Sequence, residues 1–165
     1  MNQKLVELKI TDGADIYNML QAIKAEEHLF HNEVYGMSYD QYKEWIVTQA
    51  NWAHGINLPN GYVKQWIYWL YIDGRPVGFG KIREKVTENS RIIGGNIGYA
   101  ISSKERGKGF GSLLFRLLLE KAKELKVEYI LSTVEKTNPV SKRIHEKCGG
   151  LLIKENEDRW YFTFN

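Results

Sequence analysis

Apolar residues change their period several times along this chain, and each change marks an element. Leu5 to Ile10 alternates apolar and polar positions, as a half-buried strand does. Ile16, Met19, Leu20 and Ile23 then recur at helical spacing, which predicts a helix capped by Thr11 or Asp12 and running to about Leu29. A second helix is predicted from Tyr39 to about Ala53, with Ser38 as its N-cap. The segment HGINLPNG that follows is dense in turn formers. Gln65 to Ile72 is rich in aromatics and Ile and reads as a strand. Its alternation sends Trp66, Tyr68 and Leu70 to one face and Ile67, Trp69 and Tyr71 to the other. Asp73-Gly74 is a hairpin signal, with a partner strand from Pro76 to about Val86. Thr87 to Ser90 turns the chain again into a strand from Ile92 to Ile101.

The C-terminal third continues the pattern with a helix from about Phe110 to Leu125 and a strand from Tyr129 to Val134. Asn138 as cap and Pro139 at the first helical position open a short helix to about Lys147, which Gly149-Gly150 ends. Leu151 to Lys154 and Trp160 to Phe164 form a last strand pair around the polar turn ENED. The order, roughly βααβββαβαββ, predicts one α+β domain over residues 1–165, with a central mixed sheet.

Composition narrows the class. The chain has 165 residues, 43% of them apolar, enough for a single core. No run of about 18 apolar residues is present, so no membrane helix is expected. MNQKLVELKITDG lacks the apolar stretch of a secretory signal, and Cys148 has no second cysteine to pair with. A cytoplasmic protein is the expectation. Between Lys104 and Lys147 Lys and Arg outnumber Glu eleven to six, while the remainder is slightly acidic. Such a basic half suits nucleic acid, a phosphorylated small ligand or a solvated helix face. Glu alternates with Lys over Glu120 to Glu124 and no nucleic-acid motif accompanies the charge, which argues against a nucleic-acid partner. A steep salt dependence of DNA or RNA affinity would revive that reading.

The stretch NIGYAISSKERGKGFGSLLF carries the sharpest signal. Gly107, Gly109 and Gly111 stand at the entrance of an apolar helix, where glycine is costly. A helix N-terminus offers unpaired N–H groups and partial positive charge, and glycines let an anion approach them. Arg106 and Lys108 add mobile positive charge, so the loop reads as a diphosphate cradle. A dinucleotide fingerprint would need G-x-G-x-x-G after a first strand. A P-loop would need Gly-Lys followed by Ser or Thr, whereas Gly107-Lys108 is followed by Gly109. What the loop matches is R-x-x-G-x-G, as Arg106, Gly109 and Gly111.

That motif resembles the acyl-CoA signature of the GNAT N-acetyltransferase superfamily, Q/R-x-x-G-x-G/A between a strand and a helix. The segment from Leu131 to Gly150 is similar to the superfamily's next strand and short helix, with Asn138 near the helix start and glycine at its end. More narrowly, IGGNIGYAI, ERGKGFG, the Gly-Gly ending and Asn57-Leu58-Pro59 before an aromatic strand resemble a bacterial subgroup of predicted acetyltransferases. The similarity spans about Gly55 to Gly150.

The resemblance implies a GNAT-like acyl-CoA N-acyltransferase fold with acetyl-CoA as co-substrate and no metal. Acetyl-CoA would lie between two parallel, splayed strands, Ile97–Ile101 and Tyr129–Val134. Backbone groups of Tyr99, Ala100 and Ile101 would pair with the pantetheine arm and polarise the thioester carbonyl. Arg106, Gly107, Lys108, Gly109, Phe110, Gly111 and Ser112 would hold the diphosphate. Asn138 and Ser141 would contact pantetheine or nucleotide, with Lys142 and Arg143 near phosphate. The reaction implied is direct acetyl transfer to a primary amine. Where many members place a Tyr to protonate the thiolate, this chain has His145, a candidate general acid; a surface histidine is the alternative. The Glu of histone-type members is replaced by Gly95, leaving Glu84 as the chosen candidate base, with Glu33, His28, His54 or water as the other choices. Cys148, at a helix end, is no nucleophile candidate.

The acceptor would be a small-molecule or peptide amine. The aromatic loops and helices around Tyr35 to Trp69, including Trp52 and Trp66, with Glu26, Glu27, Glu33 and Glu44, suit an amphipathic or cationic one. A homodimer through C-terminal edge strands is a further expectation. The missing Glu and Tyr leave a rival: a GNAT fold that binds acyl-CoA without catalysis.

Overall fold

The computed structural model describes residues 1–28 and 30–165. Its elements are β1 (Gln3–Glu7), α1 (Ala14–Leu20), β2 (Glu26–Glu27), β3 (Phe30–His31), α2 (Tyr39–Ala53), β4 (Gln65–Ile72), β5 (Arg75–Arg83), α3 (Glu88–Ile92), β6 (Ile97–Ile101), α4 (Phe110–Glu124), β7 (Ile130–Glu135), α5 (Pro139–Lys147), β8 (Leu151–Glu155) and β9 (Arg159–Phe164). The architecture is α+β, as expected.

Strands β1-β4-β5-β6 form one antiparallel sheet and β7-β9-β8 another, with β2-β3 a small hairpin. The alternation of β4 divides the interior as expected. Tyr68, Leu70 and Ile72 face a core built on Leu114, Phe115 and Leu118 of α4. Ile67 and Trp69 face a second core with Ile16, Leu20, Tyr42 and Ile46 of α1 and α2. Burying a side chain of this size contributes about 1.5–3 kcal/mol.

The expected mixed sheet is corrected in one respect. The ladder stops at β6 and resumes at β7; there the chain segments meet where the Asn96 N–H donates to the Leu131 carbonyl at 2.9 Å and the Gly94 N–H donates to Thr133 Oγ1 at 2.7 Å. The Asn96 side chain secures that junction. Its Nδ2 donates to the Tyr129 carbonyl at 2.8 Å and its Oδ1 accepts from the Leu131 N–H at 2.8 Å. Beyond this point the facing edges of β6 and β7 are unpaired.

Two other expectations are corrected. The first helix ends at Leu20, because the Asn32 side chain takes the Leu20 and Ile23 carbonyls at 2.9 and 2.7 Å and turns the chain back. The predicted helical end at Leu29 lies outside the described residues. The strand expected from Ile92 begins at Ile97. Thr87 and Ser90 cap each other in a capping box that opens α3, and Gly94 and Gly95 follow with φ of +89° and +66°. Ser38 caps α2 in a second box with Gln41, at the predicted residue.

Candidate functional site

Between the unpaired edges of β6 and β7 lies a cleft of about 710 Å³. At one end stands the α4 N-terminus. Gly109, at φ +83°, gives it no side-chain cap, and the first helical bond runs only from Leu113 to the Gly109 carbonyl. The N–H groups before Leu113 therefore face the cleft free of helical partners. Gly107 and Gly109 have no heavy atom within 4 Å of where a Cβ would stand, so the space beside the backbone is open to a ligand. Open glycines, free donors and the helix dipole fit a diphosphate. Of the residues expected to hold the co-substrate, Tyr99, Ala100, Ile101, Arg106, Gly107, Gly109, Phe110, Gly111, Ser112, Asn138 and Ser141 all line this cleft.

Lys108 does not line it. Its Nζ pairs with Glu105 at 2.9 Å, and Arg75 together with Lys108 holds the Glu105 carboxyl below its usual range. Arg106 is equally committed: both terminal nitrogens donate to Glu27, at 2.6 and 2.8 Å, and Nε donates to the Ile101 carbonyl at 3.0 Å. The mobile positive charge expected of this loop is thus internally paired, and attraction for an anion falls on the backbone. The pairing of Glu27 escaped the sequence because the partners lie 79 residues apart. Lys142 is turned away, bonded to Glu146 at 2.8 Å and lying over the Trp160 ring. Arg143 likewise does not line the cleft.

His145 lines the cleft but is no surface histidine, being 2% exposed. It stacks on Phe115 at 4.3 Å. Its Nδ1–H donates to the Ser141 carbonyl at 2.8 Å, so Nε2 is the acceptor for the Ser132 hydroxyl at 2.7 Å. Burial brings its pKa down to about 4, and at neutral pH the ring has no second proton to give. Asn138 caps α5 by accepting from the Ser141 N–H at 3.2 Å. The Ser141 hydroxyl meets the Tyr99 hydroxyl at 2.9 Å. Ser132 was missed from sequence: a single serine within an apolar strand carries no motif.

The base candidates scatter. A Cβ at Gly95 would stand 1.9 Å from the Leu131 carbonyl oxygen, so no side chain fits where histone-type members carry Glu. Glu84 lies outside the cleft, exposed, accepting from the Lys64 N–H at 3.4 Å. His54 is exposed at the end of α2. His28 lines the cleft but turns to Glu135 at 3.3 Å. Glu33 lines a second cavity of about 420 Å³ along α2, with Met37, Glu44, Trp45, Gln49 and Trp52, and accepts from the Trp45 indole at 3.2 Å. Trp66 packs instead against the α4 core.

Phe30 joins the two regions: it lines the cleft and meets Phe79 at 4.9 Å, which in turn meets Trp45 at 6.2 Å. Lys81 lies over the Phe30 and Phe79 rings and donates to the His31 carbonyl at 2.5 Å, fixing the β2-β3 hairpin. Burial, with Arg83 nearby, brings its pKa down to about 8. Burial pushes the Cys148 thiol up, which keeps it protonated. Among the described residues no group of His, Cys, Asp and Glu is gathered as a metal site. No described helix is long and apolar enough to cross a membrane.

A profile described as the Acetyltransferase (GNAT) family matches residues 18–150. The chain therefore belongs to the GNAT family and is an acetyltransferase of that class. No curated protein matches it with significance. Among solved structures it is similar to RimL, a ribosomal L7/L12 alpha-N-protein acetyltransferase in complex with coenzyme A (12% identity, TM-score 0.72, covering 99% of this chain and 94% of that one). It is also similar to the Campylobacter jejuni N-acetyltransferase PseH in complex with acetyl coenzyme A (13% identity, TM-score 0.63, 99% of each chain). A third is a dodecameric spermidine N-acetyltransferase from Vibrio cholerae (17% identity, TM-score 0.64, 98% of this chain and 92% of that one).

Proposed function

We propose that this protein transfers acetyl directly from acetyl-CoA to a primary amine. The observation that carries the reading is the uncapped, glycine-flanked start of α4 opening on a cleft between two unpaired strand edges. The diphosphate would rest on the N–H groups from Arg106 to Ser112. The pantetheine arm would pair with the free edge of β6, and a backbone N–H near Tyr99 to Ile101 would polarise the thioester carbonyl. The solved relatives that hold coenzyme A or acetyl coenzyme A support this use of the cleft.

The acceptor is a cationic or amphipathic amine. Glu33 and Glu44 beside Trp45 and Trp52 offer carboxylates and aromatic faces to an ammonium group. With Gly95 unable to carry a side chain and Glu84 outside the cleft, the amine proton leaves to water. Holding amine and thioester together supplies most of the rate. The exposed apolar edge of β8, at Leu151, Leu152 and Ile153, suits a homodimer contact.

Thermal stabilisation by acetyl-CoA, against CoA, ATP and NAD, tests the site. About 2.7 kcal/mol is expected at a hundred times Kd, with CoA species only. A panel of amines, including spermidine and an N-terminal peptide, is then followed by release of the CoA thiol. Stabilisation without release by any amine would favour the silent acyl-CoA-binding module, which the bare Gly95 position also suits. No stabilisation by either CoA species at millimolar concentration sinks both readings.

A further inference from the structure

We infer that Arg83 receives a carboxylate of the acceptor, so that the amine acetylated is that of an amino acid. The inference rests on the acetyl-transfer reading above and narrows the acceptor which that reading leaves open.

Arg83 ends β5. Phe79 of the same strand faces the core built on α1 and α2, and strand alternation brings Lys81 and Arg83 to that face. Two cations thus lie side by side, Lys81 only 8% exposed and Arg83 half-buried. Each costs free energy there unless an anion or a good set of acceptors meets it. Among the described residues neither forms an ion pair with a carboxylate. Lys81 has other compensation, in the Phe30 and Phe79 rings and the His31 carbonyl. Arg83 has little. Its one protein hydrogen bond among the described residues runs from Nη1 to the Gly95 carbonyl at 3.5 Å, near the limit for such a bond. Its other nitrogens are not sealed in, since the fully buried side-chain nitrogen left without a partner is Arg159 Nε. Arg83 therefore holds a charge and spare donors within reach of a ligand.

The place suits an acceptor. Gly94, next to the carbonyl that Arg83 meets, lines the cleft. Glu33, which lines the α2 cavity, and Tyr62 are close enough to act on the Arg83 charge. Burial holds the Arg83 pKa below its usual range, yet a guanidinium stays charged at neutral pH. Its planar fork matches a carboxylate with two parallel N–H bonds. With Glu33 near, a singly charged carboxylate fits better than a doubly charged phosphate.

The test compares each amino acid with the amine left when its carboxylate is removed: phenylalanine with phenethylamine, lysine with cadaverine, alanine and β-alanine with ethylamine. Calorimetry on CoA-loaded protein reads binding, and release of the CoA thiol reads transfer. In at least one pair the amino acid should lead by about tenfold or more in affinity or kcat/KM. Arg83→Met, which keeps the apolar stem and removes the charge, should bring that ratio to about one, and Arg83→Lys should restore part of it. Without ligand, the urea midpoint of Arg83→Met should equal or exceed that of the wild type, because an uncompensated cation has gone. A residue that serves the fold alone would give a lower midpoint and an unchanged ratio. O-phosphoethanolamine against ethanolamine tests the phosphate; if that pair shows the largest ratio, the carboxylate assignment falls. If the amines do as well as the amino acids, or no member of any pair binds, the inference is overturned while the transfer reading stands. If CoA does not bind the wild type, both fall.

Discussion

His145 is buried with both ring nitrogens bonded inside the protein, and burial brings its pKa down to about 4 from an ordinary 6.5. The folded state prefers the neutral ring; the unfolded chain takes up a proton below 6.5. Its contribution to stability is therefore complete above that pH and is lost as pH falls towards 4, amounting to about 3 kcal/mol. Urea denaturation from pH 7 to 4 should show this slope, and His145→Gln should flatten it. A slope unchanged by the substitution would mean that another group titrates there. The residue's depth was not legible in KRIHEK, where charged neighbours on both sides suggest a solvated position. The open backbone at Gly107 and Gly109 was legible, because room beside the backbone leaves its mark directly in residue type. The pairing of Arg106 with Glu27 was not, since attraction between groups distant in sequence leaves no local pattern.

At the scale of elements, α4 both closes the core and opens the site, through opposite ends of one pattern. Leu114, Phe115 and Leu118 bury its middle while glycines strip its entrance. Gly109→Ala should separate the two roles. Left-handed backbone costs alanine about 1–2 kcal/mol, a modest fall in urea stability. The added methyl projects into the open space of the cradle, so CoA affinity, measured by calorimetry, should fall at least tenfold. CoA affinity unchanged in the folded variant would place the diphosphate elsewhere. Helix starts were readable to the residue where a side chain does the capping, as at Ser38 and Asn138. The end of α1 was not, because Asn32, twelve residues beyond Leu20, takes the carbonyls that would have continued it. The two-residue strands β2 and β3 are too short to leave a period.

Across the whole molecule, two sheets meet at Asn96, 1% exposed and bonded to Tyr129 and Leu131. Asn96→Ala leaves the buried Leu131 N–H and the part-buried Tyr129 carbonyl without that partner. Each unsatisfied group costs about 1–3 kcal/mol, so the urea midpoint should fall by the equivalent of about 3 kcal/mol. The amides of β7 should then exchange with solvent faster than those of β4; uniform loss would show that the junction is not special. The sequence marks each strand by its alternation, but which strands pair is decided by contacts such as this one, so a continuous mixed sheet was the natural expectation.

That break has a consequence for the protein before it meets its co-substrate. Two rows of unpaired backbone groups face each other across the cleft, each a template for an extended peptide. A strand from a partly opened second copy would be such a peptide. On the acetyl-transfer reading proposed above, bound CoA would cover both edges, so CoA should also slow aggregation of the protein, as light scattering would report.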